Sequence, residues 1–76
     1  MKQRFYYNRS HVYGWCVYDR DTNSPAWDAC AELLPPVYEG ESGKVTVDPC
    51  RESEIDAQLL CLKLNRAHRK QEVGVR

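Results

Sequence analysis

Residues 3–20 read QRFYYNRSHVYGWCVYDR and hold six of the eight aromatic residues in this chain of 76 residues. Aromatic and β-branched residues favour strands. The polar segment 9–11 separates two such runs. We therefore predict an antiparallel pair of strands over residues 3–8 and 12–20, with apolar side chains on both faces of the sheet.

Side-chain alternation divides the aromatic residues of the second strand between its two faces. Tyr13, Trp15 and Val17 share one face, and Tyr18 lies on the other. We predict that Trp15, on the face that it shares with Tyr13, lies in the core beneath a helix. Tyr18, with Tyr6 of the first strand, is then a candidate for contact with a partner.

The segment 25–34 has two interpretations. As a helix, it starts after a Ser24 cap with proline in its first turn, and the following prolines end it. As a strand, residues 25–29 return along the sheet with Trp27 facing the core. Further along, residues 37–39 and 44–47 predict a second hairpin around a loop with a glycine at each end.

The clearest element is a C-terminal helix from about Pro49 or Glu54 to Arg69, capped by Ser53 and followed by a flexible tail from about residue 71. Its apolar residues form two stripes on nearly opposite sides. One stripe is Ile55, Leu59 and Leu62, and the other is Ala57, Leu60, Cys61, Leu64 and Ala67. A small sheet covers one stripe. The other stripe is covered either by a loop or by a partner. In the second case we predict that Leu60, Cys61 and Leu64 form the interface.

These elements predict a single small α+β domain over residues 1–76. Its core is an antiparallel β-meander of three or four strands with the C-terminal helix packed on one face. The helical interpretation of residues 25–34 adds a short second helix. A chain this short buries only about 60% of the surface that it exposes when unfolded, so association with a partner or a second copy is a natural source of stability.

Charge is segregated along the chain although its net value is zero. Residues 1–20 carry four bases and one acid (+3), residues 21–56 two bases and nine acids (−7), and residues 57–76 five bases and one acid (+4). A nucleic-acid binder usually has a net basic balance. The chain has no signal-peptide pattern and no apolar run long enough to span a membrane, so we predict a cytoplasmic protein without membrane association.

The cysteines and histidines do not predict a metal site, a cofactor or catalysis. Structural zinc ligands usually come in pairs two to four residues apart, whereas Cys16, Cys30, Cys50 and Cys61 are separated by 14, 20 and 11 positions. Cytosolic thiols are kept reduced, so disulfides are not expected. A nucleophilic thiol also needs an adjacent base, and nothing places a histidine beside one. We predict that the protein is not an enzyme.

An alternative function is binding of single-stranded nucleic acid. The segment 11–18 partly imitates strands whose aromatic side chains stack on bases. Under this hypothesis the rings of Tyr13, Trp15 and Tyr18 form the platform, and Arg4 and Arg9 contact phosphates.

The run Trp15-x-Val17-x-Asp19-x-x-Thr22, then Pro25-Ala26 and a helix ending Leu62-x-Leu64-Asn65, resembles small accessory proteins encoded by phages and plasmids. The resemblance covers about the first 30 residues and the final helix, and residues 30–50 form an insertion relative to it. It implies a protein-binding accessory protein of a mobile genetic element, in a class that includes inhibitors of host or defence proteins. It implies no catalytic residues.

Overall fold

A computed structural model describes residues 3–35, 37–38, 43–45 and 47–74 of the chain. Two helices and six strands, four of them only two residues long, make up the regular structure of these described residues. In chain order they are β1 (Phe5–Ser10), β2 (Gly14–Asp19), β3 (Ser24–Pro25), α1 (Trp27–Leu33), β4 (Val37–Tyr38), β5 (Lys44–Val45), β6 (Cys50–Arg51) and α2 (Glu54–Gly74). The predicted α+β class is confirmed.

The antiparallel pair β1–β2 is confirmed, with Phe5 opposite Asp19. Its turn lies two residues later than predicted, at residues 11–13, because the Ser10 hydroxyl accepts the backbone N–H groups of Val12 and Tyr13, both at 3.1 Å. Gly14 then opens β2 with a φ of 75°, a left-handed conformation that favours glycine. Tyr13 therefore belongs to the turn and not to the strand.

Strand β2 is the centre of a four-stranded antiparallel sheet. On the side away from β1, its end pairs with β3 and its beginning pairs with β6. The sheet thus extends the predicted meander, because β6 returns to β2 after α1, β4 and β5. Strands β4 and β5 form a separate two-stranded sheet, as the second hairpin predicts, and residues 39–42 between them lie outside the described residues.

Each interpretation of residues 25–34 is correct in part. Ser24 and Pro25 form the short strand β3, and α1 begins two residues later at Trp27. The predicted Ser24 cap is wrong, because the Ser24 hydroxyl contacts the Thr22 hydroxyl at 2.8 Å and α1 has no side-chain cap. The predicted burial of Trp27 is also wrong, since this residue is 46% exposed.

Helix α2 packs across the sheet and starts as predicted, with the Ser53 hydroxyl accepting the N–H of Asp56 at 3.2 Å. It continues to Gly74, in place of the predicted end at Arg69 and the tail from about residue 71. The core lies between α2, α1 and the β1–β2 pair. It is formed by Phe5, Val17, Ala26, Ala29, Cys30, Leu34, Leu60, Cys61 and Leu64.

Candidate functional site

The two apolar stripes of α2 have opposite environments. Leu60, Cys61 and Leu64 are buried against the sheet and α1. Our prediction that these three residues form the partner interface is therefore wrong, because their side chains already belong to the core. The other stripe is exposed and is called here the α2 stripe: Ile55, Leu59 and Leu62, exposed by 68%, 59% and 51%.

Asn65 supplies a physical reason for this orientation of α2. Its side-chain oxygen accepts the backbone N–H of Phe5 at 3.0 Å, and its side-chain nitrogen donates to the backbone oxygen of Phe5 at 3.1 Å. The amide group thus bonds to Phe5 as a residue of a neighbouring strand would. Since Asn65 is buried beside Leu64, this contact turns the Leu64 side of the helix towards the sheet.

We expect Asn65→Ala to lower the free energy of unfolding by about 1–2 kcal/mol, because it leaves two buried backbone groups of Phe5 without these partners. Urea denaturation followed by circular dichroism measures the change. The matched control is Asn8→Ala, which removes the same type of side chain from an exposed position on β1. We expect it to change the free energy of unfolding by no more than about 0.5 kcal/mol. Equal losses in the two variants would contradict the role assigned to Asn65.

Strand β1 has an open outer edge. The backbone N–H of Arg20 donates to the backbone oxygen of Arg4 at 2.9 Å, which sets the order of bonded and non-bonded pairs along β1 and β2. By this order, Phe5, Tyr7 and Arg9 point their backbone groups away from β2. Asn65 bonds those of Phe5, whereas no strand of the described chain pairs with the edge at Tyr7 and Arg9.

A shallow groove of about 380 Å³ runs between this edge and α2. Tyr7 and Leu62 stand on its two sides, and Cys61 contributes to its lining although it is largely buried. The groove connects the β1 edge with the α2 stripe through Leu62. Its main lining residues are Phe5, Tyr6 and Tyr7 from β1 and Gln58, Cys61 and Leu62 from α2.

The charged groups around the groove are basic. Arg20 is the charged residue that lines it, and no acidic residue does so among those the structure describes. Arg9 is exposed at the open end of β1. Arg66 and Arg69 are exposed four and seven residues after Leu62, which places them on its side of the helix. An acidic ligand would therefore meet a favourable potential here.

Tyr6 and Tyr18 lie together on the face of the sheet opposite α2. Their rings stack with centroids 5.5 Å apart, and the Arg20 guanidinium sits 4.4 Å from the centre of the Tyr6 ring. Both tyrosines are half-buried. Tyr6 also lines the groove, so one of these two predicted contact residues adjoins the open edge of β1.

The rings of the nucleic-acid hypothesis do not form one platform. Tyr13 lies in the β1–β2 turn and is 52% exposed, so it does not lie on the strand face that it was predicted to share with Trp15. Trp15 is half-buried on the α2 side of the sheet, next to Tyr7 with centroids 6.2 Å apart, while Tyr18 is on the opposite face. Of the two predicted phosphate contacts, Arg9 is exposed, whereas Arg4 is paired with Asp19 at 2.9 Å.

No protein-family model, curated protein or solved structure matches this chain. The resemblance to phage and plasmid proteins therefore stays a prediction. Within the described part of the chain, no helix has the length and apolar character needed to cross a membrane.

Proposed function

We propose that this protein is a non-enzymatic protein-binding module that holds an extended segment of another protein against the open edge of β1. The observation that carries the proposal is the position of that edge beside Leu62 and the groove. In agreement with the resemblance drawn from the sequence, we propose the role of an accessory protein of a mobile genetic element, acting on a host or defence protein by direct contact.

The form of the ligand follows from the backbone of β1. The outward N–H and carbonyl groups of Tyr7 and the outward carbonyl of Arg9 offer main-chain hydrogen bonds to an added strand, which is a common mode of peptide recognition. The N–H of Arg9 already donates to the Asn8 side-chain oxygen at 2.8 Å. An unprotected strand edge is otherwise a liability for a soluble protein, because it pairs with other chains. The groove and Leu62 supply apolar contacts for side chains of that strand.

The charge of the site favours a foreign acidic segment over a second copy of this chain. Antiparallel pairing of two β1 edges about a two-fold axis near Tyr7 and Arg9 would bring Arg9 of one copy close to Arg9 of the other. Like charges on adjacent strands are destabilising. A segment in which apolar residues alternate with Asp or Glu matches both the groove and its basic rim.

The thiols support a role in binding over one in covalent catalysis. Burial raises the pKa of Cys30 to about 11. A thiol with such a pKa stays protonated at neutral pH and is a weak nucleophile.

A display selection of random twelve-residue peptides on the immobilised protein tests the proposal. We expect the enriched peptides to combine apolar with acidic residues, and Leu62→Asp to weaken their binding at least about 10-fold by removing an apolar contact and adding a repelling charge. Fluorescence polarisation of a labelled peptide measures the affinity. A copy of the peptide with N-methyl groups at alternate residues should lose binding, because strand addition needs its main-chain donors.

Val12→Asp is the matched control. Val12 is 80% exposed in the β1–β2 turn, so the substitution removes an exposed apolar side chain and adds the same charge outside the α2 stripe. We expect it to leave peptide binding unchanged. Equal weakening by both variants, or full binding of the N-methylated peptide, would contradict the proposal. Sedimentation as a dimer that Leu62→Asp dissociates would assign the surface to a second copy instead.

A further inference from the structure

Cys16 and Cys50 form a close pair of thiols at the junction of β2 and β6. They are direct partners in the antiparallel register, and their Sγ atoms are 3.3 Å apart. Both are free thiols in the structure. Neither residue lines the groove between β1 and α2.

The backbone around this pair fits a cross-strand disulfide. The N–H of Val17 donates to the backbone oxygen of Pro49 at 3.1 Å, so Cys16 and Cys50 occupy the adjacent non-hydrogen-bonded position. Residues at such positions have Cα atoms about 4.5 Å apart. This separation lies within the range that a disulfide bridges, so the bond needs no large movement of the backbone.

The two other cysteines do not share this arrangement. Cys30 on α1 and Cys61 on α2 are both buried in the core, and Cys61 accepts a contact from the side-chain nitrogen of Asn65 at 3.6 Å. Cys50 is only half-buried, whereas Cys16 is fully buried. An external reagent therefore reaches Cys50 first, and Cys16 is positioned to complete the reaction.

We propose that Cys16 and Cys50 are a redox-active pair that a small-molecule disulfide such as oxidised glutathione converts to an intramolecular disulfide. The Cys50 sulfur attacks the glutathione disulfide, which forms a mixed disulfide and releases one glutathione. The Cys16 sulfur then attacks the Cys50 sulfur, which closes the protein disulfide and releases the second glutathione. The two thiols lose two electrons, and both of their protons end on the two glutathione thiols.

The environment of Cys50 makes this exchange slow at neutral pH. Burial, the contact with Cys16 and the nearby Asp48 carboxylate raise the pKa of Cys50 to about 12. The thiolate is the reacting form, and with this pKa only a small fraction of Cys50 is a thiolate at neutral pH. In a reducing compartment the pair rests as two thiols, in agreement with the sequence-based prediction of free cysteines.

The disulfide would join β6 covalently to the central strand β2. Cys50 lies three residues before the Ser53 cap of α2, and the bond joins residues 34 positions apart. Closing a loop of this size restricts the unfolded chain strongly. We expect oxidation to raise the melting temperature by about 10 °C or more and reduction by dithiothreitol to reverse the change.

Peptide mapping tests the pairing directly, because trypsin places each cysteine in a different peptide. After long incubation of the full chain with oxidised glutathione and blocking of the remaining thiols, we expect a linked species of peptides 10–20 and 45–51. Two of the four thiols should be lost, and the intact mass should fall by two hydrogens. Cys61→Ala should behave in the same way, whereas Cys50→Ser should form no internal disulfide.

Four results would overturn the proposal. These are four free thiols after the incubation, a linked peptide that contains Cys30 or Cys61, a disulfide-linked dimer, or an oxidised protein whose melting temperature equals that of the reduced protein. The wild-type chain alone gives each of these measurements, so the conclusion does not depend on the folding of a variant.

Discussion

Leu64→Ala is expected to lower the free energy of unfolding by about 2–5 kcal/mol, the usual cost of truncating a fully buried leucine. Leu64 has no exposed surface and packs in the core with Phe5 and Val17. A domain of this size has a total stability of roughly 4–11 kcal/mol. The substitution thus removes a large part of the stability, which urea denaturation of the purified protein measures.

Leu62→Ala is the matched comparison, because it truncates the same residue type on the other stripe of the same helix. Leu62 is about half exposed, so its loss should change stability by no more than about 0.5–1 kcal/mol. The ratio of the two losses reports which stripe faces the sheet. A larger loss for Leu62 than for Leu64 would reverse the orientation of α2 and with it the location of the proposed binding surface.

Asp19→Ala is expected to lower the free energy of unfolding by about 2–3 kcal/mol, because it leaves Arg4 without its main partner. Asp19 is only 1% exposed. Its two carboxylate oxygens accept hydrogen bonds from Nε and Nη2 of Arg4 at 3.0 and 2.9 Å, and one of them also accepts the N–H of Asp21. The comparison is Asp21→Ala, whose exposed carboxylate lies 3.2 Å from Arg4 and should contribute much less.

The Asp19 carboxylate also makes the free energy of unfolding depend on pH. Burial raises the pKa of Asp19, but the hydrogen bond and charge of Arg4 and the N–H of Asp21 outweigh it, so that the pKa lies below its ordinary value. The native protein therefore holds the charged form more strongly than the unfolded chain does. The stabilisation is complete above the ordinary carboxyl pKa of about 3.9 and is lost as the pH falls through the lowered native pKa.

Urea denaturation at a series of pH values from neutral to below 4 measures this contribution. We expect the wild-type stability to fall more steeply on acidification than that of Asp19→Asn, which cannot titrate at this position. Parallel curves for the wild type and Asp19→Asn would show that another carboxyl group carries the acid sensitivity.

Local patterns predicted the parts of the fold that depend on neighbouring residues. The aromatic runs on either side of a polar segment predicted the β1–β2 pair, and Ser53 predicted the start of α2. The error in the position of the β1–β2 turn has a local cause as well. Ser10 can accept two backbone N–H groups, and a pattern based on aromatic residues alone does not weigh that contact.

The candidate site was harder to predict, since it depends on which surfaces remain uncovered. The two stripes of α2 were both visible in the sequence, yet Leu60, Cys61 and Leu64 were assigned to the wrong environment. Asn65 was the available signal, because a polar residue next to Leu64 indicates a specific hydrogen bond on that side. Its partner is the backbone of Phe5, 60 positions earlier, and helical periodicity contains no information about such a contact.

By itself, the sequence determined a small α+β domain, an aromatic strand pair and a C-terminal helix with more apolar surface than one sheet can bury. These features follow from local propensity and from the periodicity of side chains. Only the tertiary structure decided that the α2 stripe stays exposed beside the open edge of β1, and that Cys16 meets Cys50 across two strands. Both outcomes depend on contacts between distant residues, which the packing of the whole chain selects.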